Sequence, residues 1–117
     1  MRRRTMRLGV VLIGAATALF GAGAAHGDTY YVYSGDNFGY IGWSHKYAGV
    51  CDREADGASV YVNFQRTYPG TTVRMEESRG HGFCKQSTEG TYAVHRLQTC
   101  QNIPLAPDIC SGWHEHR

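Results

Sequence analysis

Cys51-Asp52-Arg53-Glu54-Ala55-Asp56-Gly57-Ala58-Ser59-Val60-Tyr61-Val62-Asn63-Phe64 decides how the chain is read. Cys51 closes a short apolar run that begins at Tyr47. An acidic turn follows and ends in Asp56-Gly57. From Ala58 to Thr67 the chain is rich in β-branched and aromatic residues, the strongest strand signal in the sequence. Asp-Gly between two such runs predicts a hairpin turn. A strand, a turn and a strand tied down by a cysteine make a folding nucleus. They carry no catalytic group.

The neighbouring segments read the same way. Thr29–Ser34, Phe38–Ser44, Thr72–Glu76, Phe83–Gln86 and Thr91–Cys100 are further strand signals. Gly, Pro, Asn and Asp turns separate them. No 3.6-residue periodicity survives beyond Gly27. Six or seven short strands predict an all-β fold, a small disulfide-stapled antiparallel β-sandwich or partly open barrel. The tail 101–117 contains Pro104 and Pro107 and reads as irregular.

The first 27 residues have the layout of a signal peptide. Arg2, Arg3, Arg4 and Arg7 precede an apolar, small-residue stretch, and Ala25-His26-Gly27 suits a signal peptidase. The apolar stretch is short for a membrane span, which needs about 20 residues. Residues 28–117 are then expected as a single secreted domain with no membrane attachment. That part keeps eight Lys and Arg against ten Asp and Glu, and no two basic residues adjoin. Nucleic-acid binding requires clustered cations, so it is not expected.

All four cysteines lie beyond residue 27. In an oxidising compartment an even number predicts two disulfides, and so short a domain needs such staples. Four cysteines allow three pairings. The reading here favours Cys51–Cys84, joining two strands, and Cys100–Cys110, closing a short loop. No C-x-x-C pair supports zinc.

Three groups of residues carry candidate chemistry. Asp52, Glu54 and Asp56 occupy positions one, three and five of a calcium-like loop, with Gly57 at six. Asn63 stands where a bidentate Glu is required, so a structural turn is expected and calcium is the weaker alternative. Tyr30, Tyr31, Tyr33, Phe38, Tyr40, Trp43 and Tyr47 place seven of the fourteen aromatics within eighteen positions. Neighbours on a strand point to opposite faces, so Val32 in the core puts Tyr31 and Tyr33 outside. Tyr31, Tyr33, Tyr40 and Trp43 are the expected contact residues of a binding surface. His114-Glu115-His116 reads as a solvated tail. No catalytic motif is present, and neither enzymatic activity nor a cofactor is expected.

Cys51-Asp52, Asp56-Gly57, Val60-Tyr61-Val62, Cys100 and Pro107-Asp108-Ile109-Cys110-Ser111-Gly112-Trp113 together resemble short exported proteins of filamentous actinobacteria. Those proteins share a Cys-Asp-x-x-x-Asp-Gly motif and a C-terminal cysteine pair. The resemblance implies export and disulfides and no particular activity. The expected function is that of a secreted, monomeric binding module for an extracellular protein or a cell-wall polymer. The alternative is a secreted hydrolase inhibitor presenting the loop 101–109.

Overall fold

A computed structural model describes residues 28–116; the expected signal peptide, 1–27, lies outside them. Strands β1 (Tyr30–Ser34), β2 (Asn37–Ile41), β3 (Ala48–Cys51), β4 (Ser59–Arg66), β5 (Thr72–Glu77), β6 (Cys84–Gln86) and β7 (Val94–Asn102) follow one another. Two further strands, β8 (Ile109–Cys110) and β9 (His114–Glu115), complete the described chain. They form two antiparallel sheets, β1-β2-β3-β6 and β5-β4-β7-β8, with β9 also paired to β7. The fold is the all-β sandwich expected from the strand pattern.

Alternation along each strand builds the core. Val32, Ile41, Ala48 and Val50 of the first sheet meet Val60, Val62, Phe64, Val94 and Leu97 of the second. Burying each large aliphatic side chain contributes about 1.5–3 kcal/mol. The sheets touch most closely at Gly39. A Cβ there would overlap Val62 and Thr99, so only glycine lets β2 settle onto the second sheet. Thr99 uses this proximity: its Oγ1 accepts the Gly39 N–H at 3.0 Å and donates to the Val32 carbonyl at 2.8 Å. Two residues on, Gln101 Nε2 donates to the Ser34 carbonyl at 3.1 Å.

Both expected disulfides are present, Cys51–Cys84 and Cys100–Cys110. Each joins residues directly opposite one another, on β3–β6 and on β7–β8. Strands β6 and β8 have three and two residues. Ladders that short hold little by themselves, so a covalent tie fixes each edge in register.

Several local expectations change. Asp56-Gly57 does not close a hairpin. It lies on the crossing from β3 in one sheet to β4 in the other. Strand β3 is already flanked by β2 and β6, and β4 by β5 and β7, so neither has an edge left for the other. The tail is not wholly irregular: Ile109–Cys110 and His114–Glu115 pair with the remaining edge of β7. Pro104 and Pro107 fall in the intervening loop, where no ladder donor is required. Strand β2 ends at Ile41; one last rung, the Gly42 N–H to the Tyr47 carbonyl at 3.0 Å, leads into a turn closed by the His45 N–H on the Gly42 carbonyl at 2.8 Å.

An ion pair shapes the end of β5. The Glu77 side chain is 1% exposed and takes the Arg79 guanidinium at 2.6 Å and the Arg79 backbone N–H at 2.7 Å. Arg79 also donates to the Cys84 carbonyl at 2.8 Å, which ties the loop 78–83 to β6. The Arg79 hydrogen bond outweighs burial and holds the Glu77 carboxyl below its ordinary value of 4.5. In the unfolded chain Glu77 returns to that value. Its contribution is therefore complete above pH 4.5 and lost as pH falls through the lower folded value. Glu77→Gln is expected to melt well below wild type at pH 7 and to converge with it toward pH 3. Melts at several pH values check this; a gap independent of pH would rule out the ion pair as its source.

Candidate binding face

The outer face of the first sheet is assembled by register. Tyr31, Tyr40, Gly49 and Gln86 lie in one row across β1, β2, β3 and β6. Tyr33, Phe38, Cys51 and Cys84 form the next row. Tyr31 is 51% exposed and Tyr33 59% exposed, while Val32 between them is buried. Phe38 sits at the centre of the aromatic group. Its ring centroid is 5.4 Å from that of Tyr31, 5.6 Å from Tyr33 and 6.3 Å from Tyr40. Phe38 was missing from the expected contact residues, although its two-residue spacing from Tyr40 placed both on one face.

Tyr40 has a second role. A Cβ on Gly49 would overlap its ring, so the side chain lies flat across β3. Its hydroxyl reaches β6 and donates to Gln86 Oε1 at 2.9 Å. Burial first, then the neighbouring phenols of Tyr47 and Tyr31, raise the Tyr40 pKa above its ordinary value. The hydroxyl therefore stays protonated and serves as a donor. Tyr40 is half-buried and braces the sheet as well as lining the face. Trp43 belongs to the turn between β2 and β3, beyond both rows, and is 47% exposed.

The rim at the Tyr33 end is polar. Tyr33, Phe38, Asp36 and Arg53 line a shallow pocket of about 330 Å³. The turn carrying Asp36 is held by Glu54, whose carboxylate accepts the Asp36 N–H at 2.7 Å. Asp52 accepts the Glu54 N–H at 3.1 Å and Asp56 accepts the Ala58 N–H at 3.0 Å. Each of the three carboxylates thus holds a different backbone group. Gly57, at φ 77°, completes the turn in a conformation that glycine adopts without strain. Among the described residues, no three His, Cys, Asp or Glu side chains converge as a metal centre.

The other expected surface is the loop between β7 and β8. Gln101 belongs to β7 and is buried against Ser34, so the presented segment is 103–108 rather than 101–109. Leu105 at its tip is fully exposed at φ 60°. Asp108 anchors the loop by accepting the Tyr61 hydroxyl at 2.5 Å, and Cys100–Cys110 closes its base. The rings and the loop thus lie on different sheets, one surface on each. No protein-family model, no curated protein and no solved structure matches the chain.

Proposed function

We propose that the protein is an exported binding module whose contact surface is the aromatic face of the first sheet. The observation that carries this reading is the pair Tyr31 and Tyr33, both more than half exposed beside Phe38. Aromatic side chains give large contact area at low entropic cost and dominate binding hot spots. Two disulfides in a small all-β domain suit an oxidising compartment and support export. Neighbouring rings stand at 48–81° to one another, a corrugated surface rather than a flat platform. That shape favours an extracellular protein over a stacked sugar polymer as partner.

Tyr31→Ala combined with Tyr33→Ala tests the reading. Exposed positions contribute little to stability, so the thermal melt is expected to shift by only a few degrees. Retention of the partner captured from culture medium is expected to fall by roughly 30-fold or more, the loss typical of a hot-spot pair. Binding to purified cell-wall polymer, measured alongside, identifies the other partner class. A folded double variant that binds as well as wild type refutes the aromatic face.

Leu105 favours a second reading, a hydrolase inhibitor. A fully exposed leucine between Pro104 and Pro107, in a loop closed by a disulfide, offers a preorganised apolar anchor. Leu105→Asp is expected to leave the melt unchanged and to abolish inhibition of an extracellular protease with an apolar pocket. If wild type inhibits none across a panel of secreted proteases, this reading falls.

A further inference from the structure

His116 does not trail into solvent as the sequence suggests, whereas His114 stays exposed. His116 continues the pairing of β9, its N–H donating to the His95 carbonyl at 2.9 Å. Its ring stacks on Tyr30, with centroids 4.4 Å apart and planes 7° from parallel. On another side it meets the ring of His45 at 4.7 Å and 63°. His45 comes from the β2–β3 turn of the opposite sheet, and its carbonyl accepts the Val94 N–H at 2.7 Å. Two consecutive β7 residues, Val94 and His95, therefore fix the backbones of both histidines.

Two features of this junction go beyond packing. The Nε2 atoms of His45 and of His116 are both buried, and neither has a hydrogen-bond partner within the protein. A buried polar atom left unsatisfied destabilises the fold unless a ligand engages it. His45 is also held at φ 65°, a left-handed conformation in which a non-glycine residue is strained. The two histidines border a pocket of about 360 Å³ that His95, Thr67, Ala93 and Val94 also line.

We propose that His45 and His116 form a two-imidazole site for a borderline-soft divalent cation of the zinc, nickel or copper class. Imidazole nitrogen suits these ions and not calcium or magnesium. With metal–nitrogen bonds of about 2.0–2.1 Å, two ligating rings have centroids about 5 Å apart, close to the spacing seen here. Water completes the coordination, as at open zinc sites. Imidazole ligates in its neutral form, so the site is tested above the ordinary histidine pKa of about 6.5. A bound ion would join the β2–β3 turn of the first sheet to the terminal strand of the second.

Zinc chloride added to the tag-free secreted protein at pH 7.5 tests the site. Melting temperature and calorimetric stoichiometry are the readouts, with calcium chloride as control. One ion per chain and a rise of about 10 °C or more at 100-fold over Kd are expected. His45→Asn keeps a residue that tolerates positive φ, and His116→Phe keeps the stack on Tyr30. Each is expected to fold and to lose the zinc-dependent rise. His114→Ala is expected to retain it. An unchanged wild-type melt overturns the proposal. So does a rise that survives in His45→Asn but disappears in His114→Ala, since that marks simple chelation by a terminal His-x-His.

Discussion

Replacing Cys51 and Cys84 together by alanine is expected to lower stability by about 4 kcal/mol. The bond spans 33 residues of sequence, and loop closure of that length restricts the unfolded chain by this amount. A domain of this size has only about 5–13 kcal/mol in total, so the change removes a large share of it. Strand β6 depends on the bond directly. Its three residues pair only with β3, and β3 is otherwise held by β2. Side-chain support comes from the Arg79 bond to the Cys84 carbonyl and the Tyr40 hydroxyl on Gln86. Cys100→Ala with Cys110→Ala is expected to cost less, about 3 kcal/mol, because its loop spans 10 residues. Urea unfolding of both double variants checks the order. Equal losses would show that loop length is not what sets them.

Thr99→Val is expected to cost about 1–3 kcal/mol despite preserving shape. The hydroxyl bridges the sheets by serving the Gly39 N–H and the Val32 carbonyl. Gly39 and Val32 also face each other in the β1–β2 ladder, so valine removes the additional bond to each, a net loss of about 0.5–1.5 kcal/mol apiece. Water has little room to replace the hydroxyl, because Gly39 sits against Val62, Thr99 and Leu97. Thr99→Ser keeps the hydroxyl and loses one methyl, so about 1 kcal/mol is expected. The contrast between the two variants is the measurement. If Thr99→Val is no worse than Thr99→Ser, the bridge contributes packing and not hydrogen bonding.

The candidate binding face was legible in part. Alternation around Val32 placed Tyr31 and Tyr33 outside, because strand periodicity is a local property. The role of Tyr40 was not legible. It depends on Gly49 and Gln86, which reach Tyr40 only through the pairing of β2, β3 and β6. The exposed Leu105 was hidden for a related reason. A leucine between prolines reads as ordinary apolar sequence until β7 and β8 fix the loop that lifts it out.

Composition and periodicity by themselves determined the all-β class and seven of the nine strands, and they favoured the disulfide pairs that the structure shows out of three possible pairings. Those features follow from residue shape, alternation and cysteine spacing, which act over a few residues or limit the pairings to a few. Tertiary structure alone decided which strands became neighbours. Asp56-Gly57 looked like a hairpin turn and became a crossing between sheets, because β3 pairs with β2 and β6 while β4 pairs with β5 and β7, which leaves neither an edge for the other. The end of the chain was settled in the same way. His114–His116 has no strand periodicity of its own, and the free edge of β7 supplied the ladder that docked it against Tyr30 and His45. Long-range pairing makes that choice, since a strand's backbone donors and acceptors can be satisfied by any compatible edge the fold brings near.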